Sequence, residues 1–203
     1  MISRERILEA AARVYAKHGF RGATTRLIAM EAGVNEVTLF RTFGSKGALL
    51  EAVLGDEHCA ETTPELTADP KDPDAELTAF VQASLDRVRA MRPMLIQTMG
   101  EMDERPEAAE FACRGRTFVH TTITSYLRRL QERGMADPNL DVDTATVMLT
   151  GTVMSDAMAR SFVPEVYPPL DVAAGRYVQC FLRMIGATKR SPSPARKSAT
   201  RAS

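Results

Sequence analysis

The sequence contains no tryptophan, only three cysteines and three histidines, and no long apolar run without charge. Cys59, Cys113 and Cys180 are odd in number, lie far apart and form no CxxC pair, which argues against a disulfide framework and a thiolate zinc site. The longest nearly uncharged stretch, 145–159, contains Asp156 and is shorter than the roughly 18 to 20 apolar residues that a membrane span needs. We therefore expect neither a disulfide-stapled domain nor a membrane protein.

The sequence also lacks the patterns that support catalysis. His18, His58 and His120 lie on different predicted helices, and there is no nucleophile elbow, phosphate loop or HExxH pattern. The segment 56–59 mixes Asp, Glu, His and Cys, but adjacent helical side chains point about 100° apart and cannot all converge on one ion. We predict that the protein is not an enzyme, has no metal site and needs no cofactor. The N-terminus carries charges where a secretory signal needs an apolar core, so we expect the cytoplasm.

Charge is balanced overall but unevenly distributed along the chain. Residues 1–50 carry eight basic and four acidic residues, residues 51–187 carry thirteen and twenty-two, and residues 188–203 carry five and none. A basic end joined to an acidic body indicates that the first segment binds a polyanion while the body is repelled by it. A solvated charge imbalance is the alternative. The last sixteen residues lack large apolar side chains and are predicted to be a disordered basic tail.

Apolar residues recur with a helical period, and no run alternates as a half-buried strand does, which predicts an all-α fold. In the first segment the pattern predicts a helix at about 3–18 ended by Gly19, a second capped by Thr24 or Thr25 and ended by Gly33, and a third capped by Asn35 and running to about Thr42. Two short helices separated by a glycine-containing turn form a helix-turn-helix.

A fourth helix is predicted to begin at Ser45, and the proline-rich and acidic stretch 62–73 then breaks the helical pattern. We place the break between two domains in this stretch, and by charge we assign residues 1–50 to the first domain and 51–187 to the second. Further helices are predicted at about 74–91, 94–103, 106–133, 141–162 and 171–187, separated by prolines and a glycine.

The third predicted helix has an outward face that a structural role does not explain. Leu39 and Phe43 are four residues apart and both face the small core. An exposed Phe beside an Arg has no packing reason on a short helix unless something docks there. The DNA major groove admits such a helix, and Lys46 at the start of the next helix can add its charge to a phosphate contact. The outward residues are Glu36, Val37, Thr38, Phe40, Arg41 and Thr42.

Residues 19–54 resemble the N-terminal DNA-binding domain of the TetR family of bacterial transcription regulators. The resemblance is carried by the segment GFRGATTRLIAMEAGVNEVTLFRTFGSKGALLEAVL, with its Gly-aromatic pair, Thr pair, Ala-Gly-Val turn, Leu-aromatic pair, Phe and Ser-Lys. It is close over residues 3–54 and only architectural beyond them. It implies that Thr25 and Lys46 bind phosphates and that Asn35, Glu36, Val37 and Thr38 begin the recognition helix.

Two positions depart from the family's pattern. Phe40, Arg41 and Thr42 match an aromatic-X-His stretch, but Phe40 replaces the commoner Tyr and Thr42 a frequent His. A hydroxyl that would donate to phosphate is therefore missing, and the contact from residue 42 is shorter. Glu36 either stabilises the N-terminus of its helix through the macrodipole or accepts a hydrogen bond from a cytosine N4.

The resemblance further implies that the second domain binds a ligand and forms a dimer, and the sequence has features that fit. Residues 145–159 are apolar nearly all round and need cover on both sides, while Gly151 and Ser155 permit close helix approach. A second stripe on the last helix completes a predicted homodimer through about 141–187 as a four-helix bundle. A monomeric core helix pair is the alternative. The stripe consists of Ala174, Tyr177, Val178, Phe181 and Ile185.

A ligand pocket is suggested by eleven methionines, several of them close together in sequence. Flexible thioethers suit a deformable site for varied apolar ligands, although ordinary core filling is the preferred explanation of any single methionine. Arg114, Arg116 and His120 could meet an anionic head group or form a solvated basic face. The predicted lining is Met94, Met99, Phe111, Phe118, Tyr126, Met148 and Thr152.

These features together predict a ligand-responsive transcription regulator. It would bind a palindromic operator in double-stranded DNA as a homodimer, and act as a repressor released by a small apolar or amphipathic molecule. The alternative is an all-α enzyme or small-molecule carrier that uses the methionine-rich cavity, but this leaves the outward Phe40 and Arg41 unexplained. A scaffold that binds another protein through the acidic body has only charge in its favour.

Overall fold

The computed structural model describes residues 4–54, 63–101 and 106–187, without the side chains of 20, 21, 50, 54 and 101–116, and this part of the chain contains helices but no strand. The all-α prediction is confirmed. Among the described residues, no helix combines the length and the apolar character needed to cross a membrane. The helices are α1 Arg4–Gly22, α2 Thr25–Ala32, α3 Glu36–Phe43, α4 Lys46–Leu54, α5 Pro73–Glu101, α6 Pro106–Glu132, α7 Val142–Ala159 and α8 Ala173–Met184, with a 3-10 turn at Pro164–Val166.

The short helices α2, α3 and α4 begin where the capping pattern predicts. Thr24 and Asn35 each accept a hydrogen bond from a backbone N–H of the first helical turn, at 3.2 and 2.9 Å, and Ser45 does the same for α4 at 3.0 Å. Gly33 ends α2 with φ 67° and ψ 35°, the left-handed conformation that glycine adopts without steric cost. The turn between α2 and α3 is therefore fixed at both ends by local chemistry.

Helix α1 extends one turn further than predicted. Gly19 has φ 67° and ψ −179°, so the backbone leaves the helical conformation there, as a glycine allows. The chain then makes another helical turn up to Gly22, and the backbone N–H of Ala23 bonds the Gly19 carbonyl at 3.0 Å. Gly19 is thus a kink inside the α1 segment and not its end.

Two hydrophobic cores hold the helices together. The N-terminal core comprises buried residues of α1–α4 and, from α5, Met94. The body core joins α5, α6, α7 and α8 around Phe80, Tyr126, Leu149 and Phe181. We call α1–α4 the N-terminal module and residues 63–187 the body. Because Met94 belongs to the N-terminal core, α5 is packed into both parts.

The prediction of separate helices at 74–91 and 94–103 is wrong, since α5 runs without interruption through Pro93. A proline inside a helix loses one backbone hydrogen bond and crowds the preceding turn, which is why the sequence suggested a break. Pro93 is exposed, whereas Met94 is only 1% exposed and packs in the N-terminal core. One turn later the Thr98 hydroxyl donates to the Tyr15 hydroxyl at 3.3 Å. Packing against α1 therefore keeps this stretch helical despite the proline.

A buried ionic network connects three helices of the body. The Asp156 carboxylate on α7 is 0% exposed and accepts from Arg89 Nη2 at 2.7 Å, from Arg160 Nε at 2.9 Å and from the Tyr177 hydroxyl at 2.6 Å. Burial alone would raise the pKa of Asp156, but the hydrogen bonds from Arg160, Tyr177 and Arg89 outweigh it and lower the pKa to about 2. The one charge in the apolar stretch 145–159 thus ties α7 to α5 and α8.

Candidate nucleic-acid interface and ligand site

Helix α3 presents to solvent most of the side chains that the sequence placed outward. Leu39 is fully buried in the N-terminal core and Phe43 is packed against it. Val37 is 71% and Phe40 44% exposed, and Arg41 next to Phe40 is exposed as well. Large apolar side chains beside a cation on an eight-residue helix form a surface that fits a docking partner better than solvent.

Thr25 and Glu36 are joined across the helix-turn-helix. The Thr25 hydroxyl donates to the Glu36 carboxylate, which fastens the start of α2 to the start of α3. The single hydroxyl proton of Thr25 is therefore engaged inside the module, and a phosphate, which only accepts, would have to replace Glu36 as its partner. This gives Glu36 a positioning role beside the two roles that the sequence left open.

The remaining predicted contacts surround this pair. Thr38 is half-buried and its carbonyl accepts from the exposed Thr42 hydroxyl at 2.8 Å, so Thr42 is held along its own helix. Lys46 is half-buried in the first turn of α4. Sequence reasoning missed Arg26, an exposed cation on α2 directly after Thr25. Its position immediately after the threonine pair was the available signal.

The residues predicted to line a ligand pocket do not come together in the described part of the chain. Met94 is buried in the N-terminal core and Tyr126 in the body core, so neither is open to a ligand. Met99 and Met148 are exposed on α5 and α7. Closeness in sequence grouped these methionines, but the helical twist and the two cores distribute them over different surfaces.

Three predicted lining residues are left. Thr152 is half-buried and its hydroxyl donates to the Met148 carbonyl on the same helix at 2.9 Å. Phe118 lines a cleft of about 570 Å³ between α6, the start of α5 and the segment 63–68. Phe111 lies outside the residues whose side chains are described, as do Arg114 and Arg116, while His120 is half-buried on α6.

Sequence reasoning missed Arg129, which lines the same cleft eleven residues after Phe118. Its only signal was a basic residue near the end of a long amphipathic helix, and most such residues are solvated. Among the described residues, no group of three or more His, Cys, Asp or Glu is placed to hold a metal ion. The segment 56–59 lies outside the described residues.

The surface predicted for dimerisation is partly corrected. The stripe of α8 packs into the body core of its own chain, with Val178, Phe181 and Ile185 buried. The apolar residues left exposed are instead Val147 and Met148 on α7 and Met184 on α8. A further group on the connection between these helices is exposed, namely Phe162, Val163, Val166, Leu170 and Val172.

A capped helix-turn-helix with an uncovered recognition helix, packed on a body of longer helices, is the architecture of a DNA-binding transcriptional regulator. The family model described as bacterial regulatory proteins, tetR family, matches residues 7–53. Residues 7–53 are a DNA-binding segment of the TetR family, and the resemblance found in the sequence is confirmed. The protein is accordingly a transcriptional regulator and not an enzyme.

Known proteins agree with this assignment over most of the chain. The chain is 25% identical over 146 residues to YvkB of Bacillus subtilis, an HTH-type transcriptional regulator, covering 72% of this chain and 77% of that protein. A TetR-family regulator from Rhodococcus sp. superposes with a TM-score of 0.70 at 18% identity, covering 90% and 97%. FadR of Bacillus subtilis in complex with stearoyl-CoA gives 0.69 at 16% identity, covering 92% and 100%. At these identities the structures show the shared fold.

Proposed function

We propose that the protein is a ligand-responsive repressor that binds a palindromic operator as a homodimer in the cytoplasm and is released by a small apolar or amphipathic molecule. The observation that carries the proposal is the uncovered face of α3, where Val37, Phe40 and Arg41 are exposed on a helix capped at its N-terminus. A helix of this kind fits the major groove with its first residues toward base edges.

The proposed DNA contacts divide into two kinds. Val37 and Arg41 are assigned to base edges, since an apolar side chain can contact a thymine methyl and a guanidinium can bind guanine. Lys46, Thr25 and Thr42 are assigned to phosphates, which fix the register without reading sequence. Asn35, Glu36, Thr38 and Phe40 complete the interface, with Asn35 acting through the cap that orients α3.

The two-domain assignment stays part of the proposal. Residues 1–50 bind DNA, residues 51–187 bind the effector and the second subunit, and the tail 188–203 lies outside the described residues. The 50/51 boundary falls inside α4, so this helix belongs to both domains. Dimerisation through about 141–187 is supported by the exposed Val147, Met148 and Met184, because a second copy would cover them in a bundle of α7 and α8.

Helix α5 provides a physical connection between an effector and the DNA-binding surface. Phe80 near its start lines the cleft, while Met94 near its end is part of the N-terminal core. These two residues are roughly 21 Å apart along the helix axis. A ligand that binds more tightly to one position of α5 must change operator affinity, because the cleft and the DNA-binding surface both depend on the position of this helix. FadR of Bacillus subtilis, which has a similar fold, has been crystallised in complex with stearoyl-CoA.

The test is to select genomic DNA fragments with the purified full-length protein and to sequence those that are retained. We expect enrichment of fragments that share a palindrome, and two or a multiple of two chains on each fragment by light scattering. A Val37→Glu, Arg41→Ala variant should lose the enrichment. The matched control is Arg176→Ala, an exposed cation on α8 in the body.

Two results would contradict the proposal. Enrichment that persists in the α3 variant would show that α3 does not form the DNA interface. A monomer that binds an isolated half-site as strongly as the full site would remove the dimer. For the ligand part, compounds that raise the melting temperature should also lower operator affinity in fluorescence anisotropy. If they leave DNA binding unaltered, the effector part fails and the DNA-binding part stands.

A further inference from the structure

We infer that the cleft between α6 and the segment 63–68 binds a small amphipathic carboxylate, with Arg129 holding the carboxylate group. The cleft has a volume of about 570 Å³, within the usual range for small-molecule sites. The inference rests on the proposed function only where it treats the bound molecule as an effector.

The first observation is an arginine without an anionic partner among the described residues. Arg129 Nη2 donates to the Leu66 carbonyl at a long 3.4 Å, and its guanidinium lies 6.0 Å from the centre of the Tyr126 ring. Its Nε is shielded from solvent and has no hydrogen-bond acceptor in the described part of the chain. Arginine cannot shed its charge by deprotonation, so an acceptor supplied by a ligand would satisfy a group that the described residues leave unsatisfied.

The carboxylates near Arg129 are engaged elsewhere or turned to solvent. Glu76 accepts from the backbone N–H groups of Lys71 and Asp72, both at 3.0 Å, and from the Tyr126 hydroxyl at 2.7 Å. Glu65 is exposed at the edge of the cleft and forms no ion pair with a described residue. The cleft therefore carries an arginine that no described carboxylate neutralises.

The second observation is a buried hydroxyl in the wall of the same cleft. Thr63 is 8% exposed, and its Oγ1 has no hydrogen-bond partner among the described residues. A buried hydroxyl without a partner is unfavourable, and native structures satisfy nearly all such groups. Thr63 can donate to the second oxygen of a carboxylate that Arg129 holds.

The rest of the lining sets the apolar part of the ligand. Phe80, Phe118 and Leu66 line the cleft together with Ser125 and Arg129. Phe118 and Arg129 are roughly 16 Å apart along α6, which leaves room for an alkyl chain or an aryl group beside the charged end. Two other clefts, of about 790 and 680 Å³, are lined by described residues that include no buried polar atom lacking a partner.

The segment that closes the cleft is held in place by the body. Leu66 and Pro70 are buried, and Arg133 forms an ion pair with Asp69. Glu76 fixes the end of the segment through its two backbone hydrogen bonds. The wall carrying Thr63 is thus part of the folded body.

The experiment uses the full-length protein without DNA and two pairs of probes, octanoate with octanamide and phenylacetate with phenylacetamide. Each amide has nearly the shape of its carboxylate but no charge. We expect at least one carboxylate to bind in calorimetry. Its amide should bind at least about ten-fold more weakly. Arg129→Gln should remove this preference. Arg128→Gln, one residue away, exposed and paired with Asp143 at 3.5 Å, should keep it.

A second variant keeps the inference testable if Arg129→Gln does not fold. Thr63→Val removes a hydroxyl that has no partner among the described residues, so its melting temperature should be equal to or above that of the parent. Its affinity for the carboxylate should nevertheless fall several-fold. A purely structural role of Thr63 would not produce this combination.

Three results would overturn the inference. They are no binding by either carboxylate, equal binding of carboxylate and amide, and equal behaviour of the Arg129→Gln and Arg128→Gln variants. Binding is measured without DNA, so it does not depend on the proposed function, and operator affinity is measured separately. A carboxylate that binds through Arg129 but leaves operator affinity unchanged would contradict the proposed release of the repressor and would support the proposed carboxylate site.

Discussion

The N-terminal module and the body place their polar groups in different ways. Among the side chains described from residue 63 onward, six that are polar or charged are buried, whereas the described residues of α1–α4 have none in that class. Apart from the buried Tyr15 hydroxyl, which meets Thr98 of α5, the hydroxyls and amides described above for the module lie at helix N-termini and on the face of α3. The buried polar residues of the body are Thr63, Ser84, Thr98, Thr124, Thr146 and Asp156.

The N-terminal module is therefore suited to display a binding surface, whereas the body contains buried groups whose hydrogen-bond partners can be exchanged. An apolar core with local caps favours one arrangement, so α3 is held ready to dock. Buried polar groups are stabilising only while their partners are in place, as in the Thr124 and Thr146 hydroxyls 3.1 Å apart. A ligand that supplies or removes one partner therefore has its largest effect in the body.

The largest expected effect comes from breaking the body's ionic network. Asp156→Ala leaves Arg160 without this carboxylate and leaves Arg89, among the described carboxylates, with the exposed Asp86 at 3.6 Å. We expect the free energy of unfolding to fall by about 3 to 5 kcal/mol, measured by urea denaturation near neutral pH. The control is Asp143→Ala on the same helix, whose exposed pair should contribute much less. Equal losses would show that burial adds nothing to the network.

Acid should weaken the body through the same carboxylate. The pKa of Asp156 is about 2 in the folded protein and 3.8 for an ordinary aspartate. The stabilisation is therefore complete above the unfolded pKa and is lost as the pH falls from about 4 toward 2, by roughly 2 kcal/mol. Urea unfolding at a series of acidic pH values should show a steeper loss for the parent than for Asp156→Asn. Parallel curves would assign the acid sensitivity to other groups.

On the module, Arg41 and Lys46 should respond differently to replacement by Ala. Arg41→Ala should weaken operator binding by about 1 to 3 kcal/mol per half-site and relax base preference. Lys46→Ala should weaken all sequences alike and lower the salt slope by about one phosphate per subunit. Titrations of operator and random DNA over a range of salt separate the two. Equal losses on both DNAs for Arg41→Ala would make it a phosphate contact.

A smaller effect is expected at the hydrogen bond between Thr25 and Glu36. In a double-mutant cycle with Thr25→Val and Glu36→Ala, each of which removes the hydrogen bond, the coupling free energy for unfolding should be about 1 kcal/mol. DNA affinity measured in the same four proteins shows whether Thr25 also reaches a phosphate. If unfolding shows no coupling, the two residues act independently, and the turn is held by its caps alone.

The smallest effect is predicted for the basic tail. Five cations and no anion in residues 188–203 should raise non-specific DNA affinity at low salt, and this gain should disappear as salt rises. A chain truncated after Ala187 is compared in anisotropy with a full-length chain whose five tail cations are changed to Gln. Both should lose the low-salt affinity equally. Unchanged affinity would mean that the tail does not contact the duplex.

The module was largely predictable because its structure depends on local chemistry. Thr24, Asn35 and Ser45 cap helices through bonds to the next few residues, and Gly33 ends one through its own backbone freedom. Such signals are present in any short stretch of sequence. The outward face of α3 followed from the helical period alone.

The body was less predictable because its contacts connect distant positions. Asp156 meets Arg89 across 67 residues, and Arg129 meets the Leu66 carbonyl across 63. No period or spacing pairs such residues. Pro93 was taken as a break because the sequence does not show that α1 packs on this stretch, and Met94 was assigned to a pocket for the same reason.

Helix α5, which packs into both cores, limits how this chain can be recombined. A hybrid regulator made by joining residues 1–50 to another body would lose Met94 and the Thr98 hydroxyl that meets Tyr15. The transplanted module would then carry a hole in its core and a tyrosine hydroxyl without this contact. A transferable unit has to include the stretch 91–98 of α5, although it lies some forty residues after the module ends. Swapping experiments in which the acceptor helix is rewritten at 91–98 should keep the module folded, whereas cuts at the helix-turn-helix boundary should not.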